Sequence, residues 1–337
     1  MRRFLVGRDS VARVATLILV ALVAIGAIRF EHFASLANLG NLLGDYGYIG
    51  IAAIGATLVI VSGGIDLSVG SVVALSAVII AALVNRGVHP LAAGALAIAV
   101  GTAIGATMGA LITHFDLPPF IVTLVGMFAI RAACFLVIGE STAIVSPYLE
   151  AAARGYEIPL GAGASLPFRG ALLLVMVLAG SVAARLTAFG RNVYAIGGNA
   201  RAASMMGVPV ARTTIGVYAL AGLCSALGGV VFAFYKRAGD PTAAQGLELS
   251  VIAAVVIGGT RLSGGVGSVT GTLVGVLILG VIRLLIDFEG NLNAAWTSVA
   301  IGALLLAFVG IQQLIGVLAT RLDAGLEDAA HGINRST

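Results

Sequence analysis

The sequence predicts an all-α polytopic membrane protein, and its composition, its apolar runs and its glycine content all point to this fold class. Of the 337 residues, 59% are hydrophobic and 10% are charged, whereas soluble domains carry about 25% charged residues. Apolar runs long enough to cross a bilayer recur along the chain. The 46 glycines are typical of helices that pack closely in lipid. A water-soluble core could not bury so much apolar surface.

Ten apolar runs qualify as spans, because a spanning helix needs about 17–25 mostly apolar residues. They lie at 11–29, 46–61, 68–84, 91–113, 120–138, 170–186, 213–235, 249–260, 269–286 and 295–315. The second and the eighth runs are short and end at glycines. About ten transmembrane helices are therefore expected, some of them short or broken by glycine.

The placement of cationic residues orients these spans. Ten spans put both termini on one side of the membrane, and most of the 19 cationic residues fall on that side. Because cytoplasmic loops carry the excess of cations, both termini are predicted to be cytoplasmic. The chain then divides into a cytoplasmic segment at 1–10, a single transmembrane domain at 11–318 and a cytoplasmic tail at 319–337. Within the domain, about 139–169 forms a periplasmic loop and about 187–212 a cytoplasmic loop.

Two stretches interrupt the apolar sequence with glycines and polar residues. The first is "VIVSGGIDLSVGSVVAL" at 59–75, and a similar stretch begins at Gly258. The aligned residues are Gly63, Gly64, Asp66 and Ser68 in the first stretch and Gly258, Gly259, Arg261 and Ser263 in the second. Irregular backbone at membrane depth needs cover from protein or from a watery cavity. The pair therefore predicts a pathway lining or a gating hinge, and two ordinary tight turns are the alternative.

Asp66 is the charged residue of the first break. It is predicted to cap the helix that follows, because a carboxylate accepts hydrogen bonds from the free N–H groups at a helix N-terminus and is stabilised there. An ion pair with Arg261 is a second expectation, since both residues fall on the predicted cytoplasmic side. Such a pair would give Asp66 a direct part in gating.

Two glycine repeats with a spacing of four predict close helix packing. The repeats consist of Gly101, Gly105 and Gly109, and of Gly267, Gly271 and Gly275. Residues four apart lie on one face of a helix, where a missing side chain lets another backbone approach closely. The repeats therefore indicate packing and carry no chemistry of their own.

Several function classes lack their motifs. There is no G-x-x-x-x-G-K-[ST] sequence for a P-loop, and the spans are nearly free of the carboxylates that ion-coupled carriers use. Energy is therefore expected from another subunit. H-E-x-x-H and G-x-S-x-G are absent, no Cys/His cluster has metal spacing, and Cys134 and Cys224 are expected to be buried apolar residues. We predict no enzyme activity, no cofactor and no metal on this chain, and no nucleic-acid partner.

The cytoplasmic loop "FGRNVYAIGGNARAASMMGVPVARTT" contains one predicted short helix. Asn199 is a good N-cap, Gly207 suits the position after the helix end, where φ is positive, and Pro209 prevents continuation. The small residue Ala203 and the apolar residue Met206 would fit a groove on a partner. A connector that folds back on its own helices is the alternative.

Three stretches together resemble the permease subunits of bacterial ABC sugar importers of the ribose/galactose type. They are "SGGIDLSVGS", "YAIGGNARAASMMGVPV" and "IAAVVIGGTRLSGGVGSVTGTLVG". The resemblance runs from about Asn41 to about Leu318, and within the family it is strongest to permeases of galactofuranose transporters. It implies a multi-pass subunit of the bacterial inner membrane that forms the translocation pathway for a monosaccharide, a pentose or a hexose, with galactofuranose as one candidate.

The resemblance also implies partners and a coupling segment. A second permease, of the same or a related chain, would pair with this one in the lipid bilayer. ATPase subunits would hold ATP and Mg on the cytoplasmic side, and a periplasmic sugar-binding protein would deliver the cargo. The family's coupling segment maps onto Gly197, Gly198, Asn199, Ala202, Ala203, Met206 and Gly207. It assigns no sugar-binding residues, and a self-sufficient secondary carrier of a small polar solute is the alternative function.

Overall fold

The computed structural model describes residues 10–148, 157–161, 163–290 and 295–310, most of which are helical. The first half contains α1 (Ser10–Arg29), α2 (Leu36–Asp45), α3 (Gly47–Val61), α4 (Val69–Val84), α5 (Pro90–His114) and α6 (Pro119–Val137). The second half contains α7 (Phe168–Leu186), α8 (Ala188–Gly198), α9 (Ala200–Met205), α10 (Val210–Lys236), α11 (Leu247–Ile257), α12 (Val269–Glu289) and α13 (Ala295–Gly310). The segments 1–9 and 319–337, predicted as cytoplasmic, lie outside the described residues.

Helix length separates the elements that could cross a membrane from those that could not. Among the described residues, five helices are long and apolar enough to cross, namely α5, α6, α7, α10 and α12. Helices α2 and α3 meet at a bend of 58° and together would make a sixth span. The 11 residues of α11 extend about 16 Å, against a hydrocarbon core of about 30 Å. These lengths fit a polytopic membrane protein, and the count of ten spans stays a prediction.

The chain is mostly helical, as predicted, and it also contains four short strands that were not predicted. In antiparallel pairs, β1 (Thr142–Ala143) joins β4 (Ala238–Gly239), and β2 (Glu157–Gly161) joins β3 (Ala164–Pro167). The strands lie in or beside the predicted periplasmic loop, where no long apolar run imposes a helix. The sequence pattern missed them because strands of two to five residues leave almost no period to detect.

Helix α2 was also missed, because the second span was predicted to begin only at residue 46. Ser35 caps α2 by accepting a hydrogen bond from the Asn38 N–H at 3.2 Å. A serine just before an apolar segment is an ordinary signal for a helix N-terminus, because its hydroxyl can accept a hydrogen bond from the backbone N–H three residues later. The apolar run of α3 dominated the pattern and hid it.

Helix α10 is the centre of the packing, and it lies against α3, α4 and α5. The predicted role of the first glycine repeat is confirmed there: a methyl on Gly109 would lie 2.8 Å from the Cα of Ile215, and one on Gly101 would lie 3.0 Å from the Gly222 oxygen. The second repeat packs likewise, with Gly275 against the carbonyl of Ala254. Both cysteines are buried and free, as expected.

Candidate functional site

The two glycine breaks use the same backbone arrangement to end a helix. After α3, Gly63 has a φ of 87° and donates its N–H to the Ile60 oxygen at 2.9 Å, and the Gly64 N–H bonds the Val59 oxygen at 2.9 Å. After α11, Gly259 has a φ of 97° and bonds the Val256 oxygen at 3.0 Å. This is the Schellman motif, in which glycine takes the left-handed conformation that a side chain disfavours.

This equivalence corrects the alignment of the two breaks by one residue. The residue with positive φ is Gly63 in the first break and Gly259 in the second, so Ser62 corresponds to Gly258. The alignment had paired Gly63 with Gly258 because it matched the two glycine doublets letter by letter. In the structure, the position that corresponds to Asp66 is Leu262, one residue beyond Arg261.

Asp66 is buried in the first break, and its bonds differ from the predicted cap. Its Oδ1 accepts hydrogen bonds from the Ser68 N–H at 2.8 Å and the Ser68 hydroxyl at 2.6 Å. Ser68 precedes the first residue of α4 and has no side-chain cap bond of its own. The prediction that Asp66 caps α4 is therefore wrong, because the carboxylate bonds locally, two residues on, and reaches no N–H within the helix.

The connection that holds Asp66 is closed by neighbouring helices. The Thr123 hydroxyl of α6 donates to the Ile65 oxygen at 3.2 Å, and the Tyr218 hydroxyl of α10 lies 3.5 Å from the same oxygen. Asp66 belongs to the connection between α3 and α4 and not to either helix.

Arg261 does not pair with Asp66. Its side chain is exposed, and within the described part of the chain the ion pairs join other residues. The Arg261 N–H bonds the Val266 oxygen at 3.0 Å, which closes a turn of the second break. Ser263 in the same turn is exposed as well. The expected ion pair is therefore wrong, because the Asp66 carboxylate is buried and bonded to Ser68, while the Arg261 side chain is exposed.

The two breaks and the end of α8 meet at one point. The Gly265 N–H donates to the Val61 oxygen at 2.8 Å, and a methyl on Gly264 would lie 2.9 Å from the Cα of Gly63. A methyl on Gly197 would strike the Val61 carbonyl oxygen and would lie 2.6 Å from the Gly265 nitrogen. Three motifs that are far apart in the sequence are thus in backbone contact.

Helix α9 begins and ends as predicted. The Asn199 side chain accepts a hydrogen bond from the Ala202 N–H at 3.0 Å, so Asn199 is the N-cap. Gly207 has a φ of 83°, and its N–H bonds the Ser204 oxygen at 3.0 Å. The short helix predicted from capping chemistry is confirmed.

Helix α8 precedes α9 and was not predicted. The Thr187 hydroxyl caps it by accepting from the Gly190 N–H at 3.1 Å. Its buried residues, Gly190, Val193 and Ile196, recur every three residues. Threonine followed by this spacing is a helix signal, and the glycines at both ends concealed it.

Exposure divides the residues of α9 into two groups. The side chains of Met205 and Met206 are 88% and 75% exposed, and Ala202 is also exposed, whereas Ala203 is only 1% exposed. The prediction that Ala203 faces a partner is therefore wrong, because it turns toward its own chain. Ala202, Met205 and Met206 form an exposed patch, called the coupling surface below.

A cavity of about 620 Å³ lies between α9 and the first break. Ser62 and Gly63 line one side, Ala200 and Ser204 of α9 line another, and Arg212 lies at the start of α10. The end of α8 therefore contacts the breaks through Gly197, whereas the cavity separates α9 itself from the first break. Within the described residues, no group of His, Cys, Asp and Glu could hold a metal ion.

Comparison with known proteins gives a family match and several relatives. Residues 38–309 match the family model described as branched-chain amino acid transport system / permease component. The inner membrane ABC transporter permease protein YjfF of Escherichia coli K12 is 47% identical over 82% of this chain and 83% of its own length. The ribose import permease protein RbsC of Bacillus subtilis is 40% identical over 69% of this chain and 72% of its own length. The fructose import permease protein FruG of Bifidobacterium longum is 34% identical over 80% of this chain and 81% of its own length. No solved structure matches the chain.

Proposed function

The chain belongs to the branched-chain amino acid transport system / permease component family, and on that premise we propose that it forms the translocation pathway of an ATP-driven sugar importer. It is a multi-pass inner-membrane permease of the ABC type, a transport component and not an enzyme. The cargo is a monosaccharide, a pentose or a hexose, with galactofuranose as one candidate.

The relatives support a sugar over an amino acid, although the family description names amino acids. Relatives that share 34–40% of their residues with this chain are named as import permeases for ribose and fructose, and a 37% identical relative from Azospirillum brasilense is named for L-arabinose. A zwitterionic cargo would favour paired charges along the pathway. Among the five long helices, carboxylates occur only at the end of α12, as Asp287 and Glu289, which suits a neutral cargo.

The contact of Gly197 with both glycine breaks is the observation that carries the proposal. A force applied to α9 passes through Asn199 and Gly198 to Gly197 at the end of α8, which contacts the Val61 carbonyl and the Gly265 nitrogen. The coupling surface offers an exposed apolar patch to an ATPase subunit, which would hold ATP and Mg²⁺. A periplasmic sugar-binding protein and a second permease, of the same or a related chain, would complete the assembly.

Affinity capture from native membranes tests this proposal. A tagged chain should recover an ATPase subunit and a periplasmic sugar-binding protein. Met206→Glu should insert into the membrane but lose the ATPase, because a charge replaces an exposed apolar contact. Ala203→Glu is a poor probe, since that position is buried in the chain itself. Met127→Glu on α6 is the control substitution, and the protein that inserts should recover the ATPase as the unchanged chain does. Loss of the ATPase from this variant as well would mean that the loss in Met206→Glu is not evidence for a contact between α9 and the ATPase.

The proposed topology has ten spans, with both termini and α9 in the cytoplasm. Single cysteines at Asn199 and Glu157, in a background of Cys134→Ala and Cys224→Ala, should react with an impermeant thiol reagent from opposite sides of the membrane. Reaction from the same side would disprove this topology. A self-sufficient secondary carrier is the alternative function, and it requires uptake by the purified chain alone under an ion gradient.

A further inference from the structure

The start of α4 lies halfway across the protein. Helix α10 has 27 residues and extends about 40 Å, and Gly222 lies at its middle. A methyl on Gly101 would lie 3.0 Å from the Gly222 oxygen and 3.2 Å from Cγ1 of Val72. Val72 is in the first turn of α4. The first turn of α4 is therefore level with the middle of α10.

The chain between β4 and α11 descends along α4 to this level. A methyl on Gly239 would lie 3.1 Å from the Cα of Val78, and one on Gly70 would lie 2.5 Å from the Ala244 oxygen. Eight residues of helix separate Val78 from Gly70, a descent of about 12 Å. We call 240–246 the inner segment, and its end at Ala244 lies at mid-depth, just before α11 begins.

Side chains hold the irregular backbone of the inner segment in place. Nη1 of Arg131 on α6 donates to the Pro241 and Ala243 oxygens, both at 2.7 Å. The Glu248 carboxylate accepts from the Gly246 N–H at 3.1 Å. Backbone groups at this depth are costly when unpaired. These hydrogen bonds come from the protein itself, so the segment is stable at this depth without forming a helix or a strand.

Polar side chains of the inner segment point away from the protein. Thr242 and Gln245 are exposed, and among the described residues nothing forms a hydrogen bond with the Gln245 amide. The Thr242 hydroxyl donates to Asp240 at 2.8 Å and keeps its lone pairs for another donor. A free amide in hydrocarbon would lose its hydrogen bonds to water at a large cost. The exposed face of this segment must therefore meet water or protein.

We propose that the inner segment forms part of the wall of the translocation pathway and that Gln245 contacts the cargo directly, with Thr242 beside it. This inference rests on the proposed function and names residues for it. A side-chain amide both donates and accepts hydrogen bonds, which matches a neutral solute with several hydroxyl groups. It holds no charge to retain the solute, and passage requires contacts weak enough to release it.

Thiol labelling tests the exposure of Gln245 without knowledge of the cargo. Gln245→Cys is introduced with Cys134→Ala and Cys224→Ala, in native membranes with all partners present. A trimethylammonium methanethiosulfonate reagent should label it from at least one side, because a charged reagent travels in water. Leu178→Cys, in the middle of α7 and 67% exposed in the chain, is the matched control and should stay unlabelled. A Gln245→Cys protein that stays unlabelled from both sides, or that instead forms a disulfide between two copies, overturns the proposal.

Uptake separates this inference from the proposed function. Cells with the wild-type chain are tested with radiolabelled ribose, fructose and L-arabinose. Gln245→Leu should lower the maximal rate for the imported sugar by roughly three- to tenfold, while insertion and ATPase recovery stay normal. Gln245→Asn, which keeps the amide, should retain more of the rate. An unchanged rate in Gln245→Leu overturns the contact. If Gln245→Cys is labelled but the cells import none of these sugars, the three sugars are not the cargo. The proposal that the inner segment lines the pathway is then still supported.

Discussion

At the first glycine break a serine, Ser62, occupies the position that Gly258 occupies at the second. Ser62 has room for its side chain, and its hydroxyl donates to the Val59 oxygen at 2.7 Å. At Gly258 a methyl would lie 2.8 Å from the Thr272 nitrogen of α12. The same backbone turn is thus stabilised by side-chain hydrogen bonds in one half and by close backbone packing in the other.

The charged residues of the two breaks differ in the same way. Asp66 is buried and bonded to Ser68, whereas Arg261 is exposed. The comparison indicates that an internal resemblance in sequence preserves a backbone turn and leaves the surrounding chemistry free to diverge. The charged residue of the first break is buried within the helix framework, whereas the second break presents a cation at the surface.

The largest effect is expected where the two breaks touch the end of α8. Gly197→Ala should cost about 1–3 kcal/mol or more, because its methyl meets backbone atoms of both breaks and neither can yield cheaply. Thermal unfolding of the purified chain measures it. Gly198→Ala is the matched control, since nothing lies within 4 Å of a methyl there. Equal midpoints for the two variants would mean that the breaks do not meet at Gly197.

An exchange at the corresponding positions of the two breaks tests how each is stabilised. Gly258→Ser should destabilise the chain by about 1–3 kcal/mol, because a side chain must displace the backbone of α12. Ser62→Gly should cost about 0.5–1.5 kcal/mol for one lost hydrogen bond. The same unfolding assay compares them. If Ser62→Gly proves the more damaging change, the contrast between side-chain and backbone stabilisation is wrong.

Asp66 tests the hydrogen bonds of the first break. Asp66→Ala should cost about 1–3 kcal/mol, because it leaves the buried Ser68 N–H without an acceptor. Asp66→Asn should cost less, since an amide oxygen can still accept from that N–H. Unfolding midpoints and sugar uptake are both measured. Normal stability with abolished uptake in Asp66→Asn would show that the charge, and not the hydrogen bond, is required.

The smallest effect is expected at Arg261. Arg261→Gln removes a charge from an exposed side chain that pairs with no carboxylate in the described residues, so stability should change by no more than about 0.5 kcal/mol. Asp66→Asn removes the opposite charge and is the natural comparison. A shift of several degrees in the unfolding midpoint of Arg261→Gln would reveal a partner for this cation.

Features with strong local signals could be predicted from the sequence. The apolar run at 91–113 became α5 (Pro90–His114) because a long run has only one stable solution in lipid. Helix α9 was predictable because Asn199 and Gly207 are required at its ends by backbone chemistry. The glycine repeats were predictable because missing side chains have one common use at a spacing of four.

Features set by tertiary contact could not be predicted. A helix of two turns such as α9 has no amphipathic period long enough to tell which way Ala203 turns. The one-residue correction to the alignment of the two breaks depends on the φ angles of Gly63 and Gly259, which the amino-acid sequence does not show. Gly197 contacts Val61, 136 residues away along the chain, and Gly265, 68 residues away, and glycine gives no side-chain pattern to reveal either contact.

The glycine seam between α5 and α10 limits the mechanics of the whole chain. Gly101 and Gly105 put the α5 backbone against that of Gly222, and the carbonyl of Gly101 would clash with any methyl on Gly222. A rotation of α5 by one residue would turn the larger Thr102 or Ala106 into this seam. The smallest slip that returns a glycine to the seam is four residues, about 6 Å. The two helices are therefore locked together and move as one rigid unit. Bending during a transport cycle then occurs where this pair of helices contacts its neighbours.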